Sequence, residues 1–485
     1  MESRYRRLIF IMIDGAPYDV FAELLRAGEL PALADLAEMG GGLRKAVTCF
    51  PSTTGPAYIP YMMGLFPGTA NVPGYRWLSR EGYGGRGSRW TRPGLASYSG
   101  IEGGSFDKDL PDMPTWFDYF ATSRNVINLL TKGCPPGSNM TAWIKPAVYV
   151  VGHYLHRWDI ADGVAARALV AAVREGPEFV ACAFNGVDGH SHARHPLAPK
   201  VLESYRTIDR AVADARRVLR ETGRDEETLW VIGSDHGQSP THTHIDVARR
   251  LDDLGYPPLY YPRLWRRDAH CAEMVSGNGM TQVYFRNARP EPGRREGGWT
   301  ERAPWEEIEA RQIPDAFLAI DGIDFLAGRR CDGTVVMKTA TGEGSILWRD
   351  GLCDYEFRGT DPLGSGCFAG QDADDVLRLT FDGPRPDAAL QLEQLFRAER
   401  AGDLFVSARQ GYDLRGRWEV PEHKSTHGAL VPQQMHVPVI FSHPVAATPM
   451  RTSDVFPTVL RLLGKEPPGG IDGVERLAPE GHRRW

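Results

Sequence analysis

Three short apolar runs in this chain each lead into acidic residues, and that repetition constrains the fold more than any other feature. Residues 8–13 run into Asp14-Gly15, Phe179–Phe184 (FVACAF) into Asn185-Gly-Val-Asp188, and 229–232 (LWVI) into Gly233-Ser-Asp235-His236-Gly237. A continuous apolar run of this length reads as a strand of a parallel sheet, buried on both faces. Helical periodicity over 18–37, 162–174 and 202–221 fills the intervals, and in the last of these Tyr205, Ile208, Ala211, Ala215 and Leu219 share one face. Strand and helix in alternation predict an α/β fold with a mostly parallel central sheet flanked by helices. In such a fold, ligands bind at the carboxyl ends of the strands.

From 257 to 419 the texture changes to Gly, Pro and charge, with short β-like pieces at 281–285 and 333–338. The alternating pattern returns at 437–441 and in a closing helix over 452–463, stopped by Gly464. The expected division is a core of 1–256 and 420–485 carrying an inserted, smaller α+β region over 257–419. A net charge of −6 offers no global attraction for a nucleic-acid polymer or an anionic membrane, so a small-molecule substrate is expected. The seven cysteines are scattered, with no CxxC spacing, which points to a reducing compartment. The first apolar run stops at Asp14, too short for a signal peptide, and no run reaches the roughly 18 residues of a membrane span. A cytoplasmic protein is the expectation.

Asp14, Asp188, His192, Asp235, His236 and His427 all fall at expected strand-to-loop junctions. Taken singly each has a plainer reading: a strand-terminal Asp caps helices, and a lone His is usually a satisfied core or surface residue. Convergence on one sheet edge argues for metal ligation. A mixed carboxylate and imidazole set suits zinc, and less strongly manganese or iron, whereas magnesium or calcium takes more oxygen. His190, His195, His242 and His244 crowd the same loops. His242 and His244 alternate as on a strand, so one of them is a candidate to face the substrate.

In their order along the chain, and together with a Thr-rich stretch ending in Gly-Leu-Phe-Pro and the late "RTSDVFPTVLRLLG", these motifs resemble the alkaline phosphatase superfamily. The type I phosphodiesterase/nucleotide pyrophosphatase branch is the nearest in pattern, and 257–419 is unmatched. The resemblance implies two zinc ions, one held by Asp188, His192 and His427, the other by Asp14, Asp235 and His236 with the nucleophile. Two metals about 4 Å apart clamp the attacking and leaving oxygens of an in-line displacement at phosphorus.

The nucleophile lies in "TCFPSTTGPAYIPYMMGLFPG", residues 48–68. Cys49-Phe50-Pro51-Ser52 resembles the C-x-P-S-R motif of sulfatases, but position 53 is Thr where that motif has Arg. In both relatives the nucleophile stands ten residues before the Gly that closes the next helix; counting back from Gly64 gives Thr54, with Thr53 as its close rival. A helix beginning after Thr54 would aim backbone N–H groups around Gly55 at a phosphoryl oxygen. Pro56 suits its first turn, and Pro60 should kink it or end its first turn early. Ala57 stands where the family pattern has Asn, so this position brings no donor to the phosphoryl group. The resemblance implies phosphoric ester hydrolysis through a phosphothreonine, on diesters or pyrophosphates, since no Arg follows Thr54 closely to grip a dianion. The alternatives are a sulfatase, a phosphonate hydrolase, a phosphomonoesterase, a cofactor-independent mutase and a non-catalytic phosphate-recognition protein.

Overall fold

A computed structural model describes residues 3–80, 94–98, 106–264, 266, 268–286, 298–299, 301–416 and 422–479. The core sheet has seven strands: β1 (Arg7–Ile13), β2 (Arg44–Val47), β3 (Ser123–Val126), β4 (Phe179–Phe184), β5 (Thr228–Ser234), β6 (His436–Phe441) and β7 (Met450–Arg451). Their order is β7-β2-β6-β5-β1-β4-β3. β1 runs parallel to both β4 and β5, and β6 is antiparallel to its two neighbours. The sheet is the mostly parallel one expected, and the apolar runs of β4 and β5 are buried throughout.

Register decides where the chemistry falls. Ile13 lies opposite Phe184 on one side and Ser234 on the other, so the next residues, Asp14, Asn185 and Asp235, leave the sheet side by side. Helices cover both faces: α1 (Tyr18–Arg26), α2 (Pro31–Met39), α3 (Tyr58–Met63), α4 (Lys145–Leu155), α5 (Trp158–Glu175), α6 (Gly186–Ala193), α7 (Pro199–Glu221) and α8 (Val455–Leu462). The single helix expected over 18–37 is two, because Gly28 turns at φ +72 and Pro31 starts a new helix where its missing N–H is harmless. In α7 the five residues of the expected apolar face are all buried.

A second sheet of nine strands, largely antiparallel, is drawn from residues between Pro258 and Ala408. It packs on the first: Val47 and Phe50 share a buried apolar cluster with Met280, Phe325 and Phe405. The expected boundary at 419/420 lies outside the described residues. One hairpin of this sheet, Cys271–Ser276 with Met280–Phe285, closes through Gly277 and Asn278, at φ 70 and 58. That turn grips the chain at His427, whose N–H donates to Gly277 O at 3.3 Å while Gly279 N–H donates back to His427 O at 2.7 Å. No helix among the described residues is long and apolar enough to cross a membrane.

Candidate active site

The hydroxyls and thiol of the Thr-rich stretch separate cleanly by environment. Cys49 is buried, burial pushes its thiol well up, and its Sγ bonds Pro51 O. Ser52 Oγ donates to Ala429 O at 3.0 Å and accepts from Gly428 N, a structural use. Thr48 Oγ1 donates to the main-chain carbonyl of Asp235, whereas Thr54 turns its hydroxyl to the ligand side chains: Oγ1 lies 3.2 Å from Asp14 Oδ1 and 3.0 Å from His236 Nε2. The helix expected to start after Thr54 starts later. Gly55, at φ 95, makes a turn first, and starting α3 at Tyr58 puts Pro60 in its first turn, where no kink is needed. Tyr61 of α3 donates to Ser234 O at 3.0 Å, and a Cβ on Gly233 would sit 2.6 Å from that hydroxyl oxygen. This close approach seats the Thr54 turn over the ends of β1 and β5.

Asp188 and His192 were expected in a loop, and they are on α6. Two glycines make the helix possible: a Cβ at Gly186 would lie 2.0 Å from Asp162 Oδ2, and one at Gly189 2.2 Å from Trp158 Nε1, so α6 lies directly against α5. Asp162 caps its start, accepting from Asn185 N at 3.1 Å and Gly186 N at 3.0 Å. The (i, i+4) spacing then sets Asp188 and His192 on one face. Replacing Asp162 with alanine should lower stability by about 1–2 kcal/mol, measured by denaturant unfolding, and should weaken metal binding with it.

Ligand atoms of Asp14, Asp235 and His236 lie within 4.8 Å of one another, as do those of Asp188, His236 and His427. His236 therefore belongs to both groups, where the resemblance gave it to one. His192 joins through Asp188, with Nε2 3.2 Å from Oδ1. Burial, reinforced by the charges of Asp235 and Asp188, holds the Asp14 carboxyl well above the usual range, and burial raises Asp235 too. Burial and the neighbouring His236 hold His427 far below the ordinary imidazole value.

Two observations test whether cations fit here. His192, His236 and His427 each commit Nδ1 to a main-chain carbonyl, of Ser425 at 2.9 Å, Gly237 at 3.0 Å and Ser52 at 3.1 Å. A neutral ring donating from Nδ1 leaves a bare lone pair on Nε2. Those lone pairs face carboxylate oxygens: Asp188 for His192, Asp235 at 3.4 Å for His236, and Asp188 at 3.8 Å for His427. Lone pair against carboxylate is repulsive until positive charge lies between them, and an Nδ1 carbonyl bond is the usual second contact of a metal-bound His. In addition, Asp235 Oδ2 is buried without a hydrogen-bond donor. The donor set fits divalent cations that accept nitrogen and oxygen ligands.

Residues missed in the sequence hold these ligands in place. Asn185 Nδ2 donates to Asp14 Oδ2 at 2.7 Å, and Gln238 Nε2 donates to Asp188 Oδ1 while Gln238 Oε1 accepts from Ser425 Oγ. Both follow strand ends next to a motif, which is the signal that marks them. Gln238→Ala should weaken metal binding about 10- to 100-fold, read by titration of chelated protein with the metal. His423 was unmarked by any motif, and its ring lies 4.2 Å from that of His192. His242 and His244 do not join the site: His242 pairs with Thr243 and lies against Tyr412, and His244 bonds Asp413 at 2.7 Å and Glu422 at 3.2 Å.

A hydroxyl set beside two carboxylate–imidazole groups that share a member, at the carboxyl edge of a parallel sheet, defines a hydrolase of the alkaline phosphatase type. Residues 8–296 match the type I phosphodiesterase / nucleotide pyrophosphatase family, and the chain belongs to it. It is accordingly an enzyme, a hydrolase acting on phosphoric ester bonds. His427 lies beyond the matched segment. Among solved structures, phosphonoacetate hydrolase from Sinorhizobium meliloti 1021, in complex with phosphonoformate, shares the fold at 16% identity and a TM-score of 0.56, over 95% of this chain and 96% of that one. Murine ectonucleotide pyrophosphatase / phosphodiesterase 5 does so at 10% identity and 0.55, with the same coverage. No curated protein matches the chain in sequence.

Proposed function

We propose that this enzyme hydrolyses phosphoric diesters or pyrophosphates in two displacements, with Thr54 as nucleophile and a phosphothreonine between them. The observation that carries the reading is the position of Thr54 Oγ1, within 3.0 Å of His236 Nε2 and 3.2 Å of Asp14 Oδ1. Two zinc ions held by Asp14, Asp235, His236, Asp188, His192 and His427 would act as Lewis acids, lowering the pKa of a bound hydroxyl and offsetting charge on the phosphoryl oxygens. Asp14 accepts the Thr54 hydroxyl hydrogen bond and so aims Oγ1, while Asn185 fixes Asp14. Attack at phosphorus forms the Thr54 O–P bond, breaks the bond to the leaving-group oxygen and releases the hydroxyl proton, which the leaving oxygen or solvent takes up; water then attacks phosphorus, cleaves the Thr54 O–P bond and returns a proton to Oγ1. The Gly55 backbone N–H is the proposed contact for a phosphoryl oxygen. We assign the region 257–419 as the cap that chooses the leaving group, since its hairpin turn reaches His427. The seven free cysteines, four of them buried, fit a reducing compartment.

A second reading, hydrolysis of a carbon–phosphorus bond, is favoured by the shared fold with phosphonoacetate hydrolase. The test is a parallel assay of zinc-loaded protein on a nitrophenyl monoester, a nitrophenyl nucleotide diester, a nitrophenyl sulfate and phosphonoacetate. Fastest turnover of the nucleotide diester supports the first reading and fastest turnover of phosphonoacetate the second. Turnover of the sulfate alone, or of none of the four, overturns both.

A further inference from the structure

Lys145, in the first turn of α4, is half-buried and short of partners. Its ammonium has three donors, of which one reaches Asn128 O at 3.1 Å, and it lies 5.7 Å from the Tyr149 ring. Among the described residues no carboxylate lies within ion-pair distance. The nearest acid to act on it, Asp107, is taken up by the backbone N–H of Thr131 at 3.0 Å and by its hydroxyl. Burial pulls the ammonium down to about 8, which a counter-charge would reverse. A desolvated cation with unused donors is costly unless an anion completes it.

The segments around it border the nucleophile's turn. Asn128 is followed by Leu129, and Asp107 preceded by Phe106; these two neighbours flank Gly55, at 3.8 and 3.5 Å from where its Cβ would be. One turn along α4, Tyr149 donates to Asn185 Oδ1 at 3.3 Å, and Asn185 in turn holds Asp14. Lys145 is thus joined by backbone, by packing and by a hydrogen-bond chain to the Thr54–Gly55 turn and to Asp14.

We infer that Lys145 is the cation that binds an anionic oxygen of the substrate, and that the preferred substrate carries a second negative charge on or next to the phosphoryl group. This rests on the hydrolase reading above. It supplies the grip that no Arg near Thr54 does, and within the reading above it selects pyrophosphates, which carry that second charge, over simple diesters.

The test is calorimetric binding of inorganic phosphate to zinc-loaded wild type, Lys145→Met and Lys145→Arg, with kcat/KM on nitrophenyl phosphate, a nitrophenyl-linked pyrophosphate and bis(nitrophenyl) phosphate. Lys145→Met should weaken phosphate binding about 10- to 100-fold, and Lys145→Arg should recover part of it. kcat/KM should fall on the two doubly charged substrates and little on the diester, and the substrate with the larger fall identifies where the second charge sits. Amine-selective labelling of the wild type, read by mass spectrometry, gives an answer if the variants do not fold: phosphate should protect Lys145. Wild-type phosphate affinity in Lys145→Met, an arginine variant no better than methionine, an equal loss on all three substrates, or no protection overturns the inference. Thr54→Ala inactivity with any of those results would leave the hydrolase reading standing, whereas a wild type inert on all substrates would remove both.

Discussion

Thr54→Ala removes turnover, with kcat falling about 1,000-fold or more while the protein keeps its fold and its metal. The size follows from chemistry, because the neighbouring groups lie elsewhere: Cys49 is sealed in the core, Ser52 is bonded into the main chain at both Ala429 and Gly428, and buried Thr53 sets its hydroxyl against the Gly277 turn. The fold survives because the Thr54 hydroxyl bonds only Asp14 and His236, which remain held by Asn185 and by Gly237 O. Thr54→Ser keeps an attacking hydroxyl and should retain measurable turnover. Rapid acid quench of wild type with a slow substrate should trap phosphate on residue 54, located by mass spectrometry. Full activity in the alanine variant would sink the mechanism and make water the direct nucleophile.

The parts of this site that were legible in the sequence are those fixed by the sheet. Asp14 and Asp235 follow apolar runs, and parallel register places the ends of such runs together. Asp188 and His192 were legible as ligand candidates but not as helical, because "GVDGHSHA" has two glycines and little apolar periodicity. Its helix is imposed from outside, by the Asp162 cap and by the close approach of Trp158, and intrinsic preference loses to those contacts. His242 and His244 show the converse error: alternation along a strand tells that two side chains share a face but not which face, and Asp413 and Glu422 hold His244 elsewhere. Gln238, His423 and Lys145 act through partners distant in sequence, such as Ser425, His192 and Asn128, and no local pattern encodes such pairs.

His236→Ala should cost more than the loss of any other single ligand. Its Nε2, the one ring nitrogen left free, is within 3.5 Å of Asp14 Oδ1 and 3.4 Å of Asp235 Oδ2, and its ring stacks on His427 at 3.8 Å, so one substitution takes a ligand from one cation group and the packing from a ligand of the other. His192 touches only the Asp188 side, at 3.2 Å. Metal analysis should therefore find both equivalents reduced in His236→Ala but mainly one in His192→Ala. Activity at saturating zinc should fall about 1,000-fold or more in the first and recover further in the second as metal is raised. The effect extends to stability, since a ligand that binds only the folded state adds about 2.7 kcal/mol at 100 times its Kd. Wild-type protein should accordingly melt higher with zinc than with chelator, and His236→Ala should lose most of that difference, because its buried carboxylates then face one another without the cations that offset them. Equal metal content in the two histidine variants would show that His236 does not support both groups.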